Sequence, residues 1–195
     1  MTYLLFDLGH VLVDLNGMPW LRRHWSGCDD SEVHRRWLGL EPVQKYERGR
    51  IGSKAFFSRM PMALSTDLTP GEFEAIFDSW MVGAYAGAEA LLQSLRGSYR
   101  LGCLSNTNPC HIAKLRSESS LLDTFDDCFL SYEIGCLKPT PSAYNHVLEA
   151  TGITAEEMWF FDDSAINVAA AADRGMRTSR VCGLDALETA LTGSS

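Results

Sequence analysis

At 195 residues, with a net charge of −8 and an isoelectric point near 5.1, the chain is long enough for one self-sufficient core with a small insertion and too short for two full domains. The acidic balance argues against a nucleic-acid partner, because such surfaces depend on clustered lysine and arginine. The six cysteines, Cys28, Cys103, Cys110, Cys128, Cys136 and Cys182, form no CxxC pair and read as thiols in a reducing compartment, not a disulfide or metal framework. No opening segment has the basic region or apolar length of a signal or membrane span, so a cytoplasmic location without membrane contact is expected.

The first element is the apolar run Tyr3–Phe6, ended by Asp7 and followed by Leu8, Gly9 and His10. A carboxylate therefore stands where a buried strand breaks into a loop, which is where open α/β sheets place their chemistry. Roughly ninety residues separate this run from the next, too many for one crossover helix. Within that stretch Trp20, Leu21, Trp25, Val33, Trp37, Leu38, Phe56, Phe57, Met60, Phe73, Ile76, Phe77 and Trp80 recur at mainly helical spacing, without strand-like alternation. Thr69 before Pro70 marks a helix start inside it. The expectation is a small helical cap over residues 17–86, hinged near Asn16-Gly17 and Gly83–Gly87.

A helix over Ala88–Leu95 leads to the second run, Arg100–Leu104, which ends in Ser105-Asn106. The third, Cys128–Ser131, is followed by Lys138-Pro139 and a helix carrying Ala143, Tyr144, Val147 and Leu148 between Pro141 and Gly152. Proline early and glycine just past the end is the expected asymmetry of a helix. The fourth run, Met158–Phe161, ends in Asp162-Asp163; Ser164 is read as the cap of a helix through Ala172 that Gly175 closes. Ser179–Cys182 is the fifth run, and residues 192–195 read as a frayed tail. Strands alternating with helices predict an α/β fold: a Rossmann-like parallel five-stranded sheet flanked by helices, built from residues 1–16 and 87–195.

Asp7, Ser105-Asn106, Lys138-Pro139 and Asp162-Asp163, each following a strand-like run, together predict a phosphoryl-transfer site. An aspartate attacking a phosphate dianion meets charge repulsion, and Mg²⁺, which takes oxygen ligands, is the expected cofactor. Ser105 and the Asn106 backbone N–H would supply donors to the phosphate, and Lys138 a fixed cation.

Phe6-Asp7-Leu8-Gly9-His10-Val11-Leu12, Leu104-Ser105-Asn106-Thr107-Asn108, Gly135-Cys136-Leu137-Lys138-Pro139 and Phe160-Phe161-Asp162-Asp163 together resemble the haloacid dehalogenase superfamily. The likeness spans nearly the whole chain and is greatest to the sugar-phosphate phosphatase branch that includes α-D-glucose-1-phosphate phosphatase-like enzymes. The resemblance implies that Asp7 is a nucleophile forming an aspartyl-phosphate. It also implies phosphate binding at Leu8, Gly9, Ser105, Asn106 and Lys138. The metal ligands it implies are Asp7, the Gly9 carbonyl and Asp163, with Asp162 in the outer shell and Asn167 steadying the pair.

The superfamily's phosphatases usually carry a second aspartate two residues after the nucleophile, where this chain has Gly9. General acid–base help is worth about 10²–10⁴ in rate, so a substitute is sought in His10, Asp14 or a cap residue. His10 stands where the named branch generally has asparagine. Trp20, Trp25 and Trp37 could stack on a sugar but read better as helix-packing core, and Gln44–Gly49 could equally be polar site groups or a solvated face. The leading expectation is a Mg²⁺-dependent phosphatase of a small phosphorylated metabolite, with a sugar phosphate the expected substrate, acting as a monomer or weak homodimer. The alternatives are a metal-independent 2-haloacid dehalogenase, against which the acid pair argues, a non-catalytic phosphate or phosphoprotein binder, and, less favoured, a mutase.

Overall fold

The computed structural model describes residues 2–193. Its five-stranded sheet consists of β1 (Tyr3–Phe6), β4 (Arg100–Ser105), β5 (Asp127–Leu130), β6 (Met158–Asp162) and β7 (Arg177–Arg180), in the order β5-β4-β1-β6-β7. All four pairings are parallel. Parallel strands buried on both faces need apolar residues at successive positions, and β1 and β6 are buried at every residue.

Alternation along β1 divides the core. Leu4 and Phe6 join Leu101, Cys103 and Phe161 on one face, under α6 (Ala88–Leu95), α7 (Pro109–Glu118) and α11 (Leu184–Thr192). Tyr3 and Leu5 join Leu104, Phe129 and Phe160 on the other, under α9 (Pro141–Thr151) and α10 (Ala165–Ala172). Gly102 is required where the Tyr3 ring crosses β4, since a Cβ there would lie 2.0 Å from the tyrosine hydroxyl. That hydroxyl instead donates to Asp127 at 2.9 Å.

Residues after β1 turn back through β2 (Val13–Leu15), which pairs antiparallel with β3 (Met81–Ala84). The sequence expectation had no strands here, because runs of three and four residues are too short to display alternation. Between them lie α1 (Met18–His24), α2 (Asp30–Gly39), α3 (Glu41–Glu47), α4 (Ser53–Ala63) and α5 (Pro70–Asp78). These helices bury their own cluster, with Val33, Trp37, Tyr46, Phe56, Phe73, Phe77 and Trp80 at its centre and Trp20 and Trp25 packed against it. Thr69 caps α5, as its sequence suggests, and Glu72 completes a capping box with it.

Three local expectations differ. β7 begins at Arg177, two residues before the run proposed for it. Ser131 is not in a strand: it opens the short helix α8 (Ser131–Ile134). Ser164 occupies the N-cap position of α10 without a side-chain capping bond; its backbone N–H is held by Asp162 Oδ1 at 2.8 Å. Of the tail expected to fray, Thr192 ends α11, and residues 194 and 195 lie outside the described residues, as does Met1.

Candidate active site

The chain crosses from one side of β1 to the other between β5 and β6, so the β1–β6 crevice is the sheet's topological switch point, the place where such folds bind ligands. Register sets the carboxylates there. Phe6 is opposite Phe161, and the Asp7 N–H donates to the Phe161 carbonyl at 2.8 Å, which brings Asp7 level with Asp162. One oxygen each of Asp7, Asp162 and Asp163 lie within 4.8 Å of one another.

Lys138 enters between them from the loop after α8. Its ammonium lies 2.9 Å from Asp7 Oδ1 and 2.6 Å from Asp162 Oδ2, with only 1% of the side chain exposed. Burial opposes a charge on this lysine, but Asp7 and Asp162 outweigh it and hold its pKa above the usual range. Burial likewise pushes the Asp7 carboxyl well above the ordinary carboxylate value; Lys138 pulls it down, and Asp162 adds to the rise. Asp163 is raised by burial and by Asp162, against the pull of His10 and Lys138.

The two adjacent acids are in different environments. Asp162 is fully buried and accepts from Lys138 Nζ, Ser164 N–H and Asn167 Nδ2, the last at 3.0 and 3.1 Å to its two oxygens. Asp163 is more exposed, and its carbonyl accepts from Arg180 Nε at 2.8 Å. Burial and several donors hold both oxygens of Asp162 in place. An all-oxygen cluster of this kind fits Mg²⁺.

Asn106 does something its sequence position did not disclose. Its side chain clasps the Lys138 backbone, Oδ1 accepting from the N–H at 2.8 Å and Nδ2 donating to the carbonyl at 2.9 Å. Ser105 ends β4, buried to 4% exposure. The turn after β1 is closed by His10 N–H to Val13 O at 2.8 Å and Val13 N–H to Leu8 O at 2.8 Å, which sets Leu8 and Gly9 directly beyond Asp7. His10 takes a left-handed conformation, φ 56°, and its field reaches Asp163. Asp14 lies on β2 opposite Gly83 and is not one of the clustered acids.

His34 of α2 was missed by the sequence reading. It interacts electrostatically with both Asp163 and His10, and burial lowers its pKa. One histidine on an amphipathic helix offers no signal without the tertiary placement. The tryptophans are resolved in favour of packing: Trp37 is 9% exposed and meets Trp80 edge-on at 5.1 Å. In the polar stretch after α3's start, Lys45 pairs with Glu41, and Glu47 Oε2 is buried without a hydrogen-bond partner.

The family model for haloacid dehalogenase-like hydrolases matches residues 1–175. The chain is 23% identical over 185 residues to D-ribitol-5-phosphate phosphatase of Bacteroides thetaiotaomicron, covering 90% of this chain and 89% of that one. It is 30% identical over 190 residues to a phosphatase of Mycobacterium tuberculosis, covering 89% and 83%. A crystal structure of a haloacid dehalogenase family enzyme from B. thetaiotaomicron, in complex with magnesium and inorganic phosphate, superposes with a TM-score of 0.76 at 27% identity, covering 92% of this chain and 93% of that chain. These relatives do not narrow the likeness to glucose-1-phosphate phosphatases. With its sheet order, its acid cluster at the switch point and a family match over most of its length, the chain belongs to the haloacid dehalogenase-like hydrolases.

Proposed function

We propose that this hydrolase is a Mg²⁺-dependent phosphatase of a small phosphorylated metabolite, a sugar phosphate by preference, working through an aspartyl-phosphate on Asp7. The observation that carries the proposal is the buried Lys138 ammonium held between Asp7 and Asp162 with Asp163 alongside. A phosphoric monoester hydrolase agrees with relatives that are themselves phosphatases.

Asp7 Oδ is the attacking atom, and Lys138 neutralises charge shared between the nucleophile and the phosphoryl oxygens. Ser105 at the end of β4 offers its hydroxyl to the same oxygens. Asp7, the Gly9 carbonyl and Asp163 would hold Mg²⁺, which relieves repulsion between carboxylate and phosphate. Asp162 and Asn167 orient the acid pair, and Asn106 fixes Lys138.

Gly9 supplies no proton to a leaving alkoxide. This favours esters whose leaving hydroxyl is already acidic, and a phosphate on an anomeric carbon fits, because a hemiacetal hydroxyl departs more readily than an ordinary alcohol. His10, whose charge bears on Asp163, is the group of the nucleophile loop that would assist. The helices α1–α5 lie between β2 and β3 as a cap through which a substrate's distal part would be read.

The test is phosphate release from a panel of sugar 1-phosphates, sugar 6-phosphates and alditol phosphates with Mg²⁺, run beside Asp7→Asn. Turnover fastest on 1-phosphates and abolished in the variant is the expected result. Inactivity on all 1-phosphates overturns the substrate preference, and undiminished turnover by Asp7→Asn overturns the mechanism.

A further inference from the structure

Cys103 and Cys128 are direct register partners on the neighbouring parallel strands β4 and β5. Their side chains point to the same face: Cys103 belongs to the apolar cluster under α7, and Cys128 packs against that cluster. The Cys128 thiol also donates to the Leu122 carbonyl at 3.8 Å. We propose that this pair is a redox modification site, closed to a Cys103–Cys128 disulfide by hydrogen peroxide.

Backbones of neighbouring strands run about 4.8 Å apart, inside the usual range of about 4.4–6.8 Å between the Cα atoms of a disulfide. β5 is an edge strand of four residues, paired within the sheet with β4 alone. Neither sulfur is engaged in a competing disulfide, since all six cysteines are free thiols.

The two members differ in the way a reactive pair must. Cys128 is half-buried and Cys103 fully buried, so an oxidant reaches Cys128 first. The thiolate is the nucleophile. Cys128 is shifted toward it first by the neighbouring Cys103 thiol and further by Arg116 of α7, against its burial. Attack of the Cys128 thiolate on the peroxide O–O bond gives a sulfenic acid, Cys–SOH, and releases water after protonation. The Cys103 sulfur then displaces the sulfenic oxygen as a second water, forming the S–S bond. Two thiols are oxidised, one peroxide is reduced, and two waters leave.

The link would lie just behind the site. Cys103 is also opposite Phe6, one residue before Asp7. Beyond the pair, the ends of β4 and β5 are joined by Thr107 N–H to Ser131 Oγ at 2.9 Å and Ser131 Oγ–H to the Thr107 carbonyl at 3.1 Å. The proposal stands independently of the substrate.

The experiment exposes the full chain to hydrogen peroxide, alkylates the remaining thiols under denaturing conditions, and assigns linked cysteines by fragmentation of tryptic peptides. The expected result is loss of two alkylatable thiols with a Cys103–Cys128 link, reversed by dithiothreitol. Cys103→Ser should leave Cys128 trapped by dimedone as a sulfenic acid, and Cys128→Ser should abolish the link. Persistence of both thiols in the wild-type chain, or oxidation of Cys128 to sulfinic acid without a link to Cys103, would overturn the proposal.

Discussion

In the proposed mechanism, Gly9 limits the proton transfer available from the nucleophile loop. A Cβ at this position would sit 2.9 Å from Leu15 Cδ1, the far end of a flexible side chain, and 4.0 Å from its Cγ. An aspartate there is therefore sterically cheap. Gly9→Asp is expected to raise kcat on esters of ordinary alcohols by about 10²-fold, with little gain on esters of acidic phenols, measured as the ratio of the two rates. Equal gains on both would show that proton donation to the leaving group is not the missing step.

Glu47 makes a separate statement about stability. Burial pushes its carboxyl from 4.5 up to about 7, Arg48 only partly opposing, and its Oε2 has no partner. The folded state therefore holds the proton more tightly than the unfolded chain. Stability from this group is complete below about pH 4.5 and is lost as pH rises through about 7, an effect on the order of 3 kcal/mol. Glu47→Gln cannot lose a proton, so its Tm advantage over wild type should grow across that window. A Tm difference that is the same at pH 5 and pH 8 would contradict this reading; those pH values are about the ends of the window.

At the scale of elements, the motif-bearing loops were legible because each chemical residue follows an apolar strand: Asp7 after β1, Ser105 at the end of β4, Asp162 at the end of β6. Lys138 was legible from Pro139 and the helix signal at Pro141. The Asn106 clasp was not, because a side chain bonding a backbone 32 residues away leaves no periodic trace. Nor was the β2–β3 ribbon, whose three- and four-residue strands have too few positions to alternate. β7 was misplaced by two residues because Arg177-Thr178-Ser179-Arg180 is a polar edge strand with no fully buried position, so the apolar signal came from Val181 and Cys182 just beyond it.

The clasp carries its own prediction. Asn106→Ala strips two hydrogen bonds from the Lys138 backbone while leaving the Asn106 main chain in place. Loss of such support typically costs about 10–100-fold in activity and, for a buried amide left unpaired, about 1–3 kcal/mol. Both kcat/KM and thermal midpoint should fall. Unchanged kinetics with a lowered Tm would reduce Asn106 to a purely structural tie.

For the whole molecule, two separately cored layers meet across α7. His111, buried on α7, stacks on Phe77 at 4.4 Å and bonds its carbonyl at 3.0 Å; Lys114 donates to the Asp78 carbonyl at 3.0 Å; the Tyr46 hydroxyl donates to Cys110 Sγ at 2.9 Å. The same helix that follows the Ser105 loop therefore fastens α3 and α5 to the sheet layer. Gly17, at the start of α1, permits close packing inside the helical layer, where a Cβ would lie 2.8 Å from the Trp80 indole. Helical spacing in the sequence suggested the upper layer, but its attachment depends on individual side chains meeting across the fold and could be seen only in three dimensions.

The central claim is that Asp7 takes the phosphoryl group. Acid quenching during turnover of p-nitrophenyl phosphate with Mg²⁺, followed by borohydride reduction, converts an aspartyl-phosphate to homoserine that peptide sequencing by mass spectrometry locates. The account predicts homoserine at position 7, dependent on both Mg²⁺ and substrate. Homoserine at position 162 or 163, or steady turnover with Asp7 never modified, would contradict it.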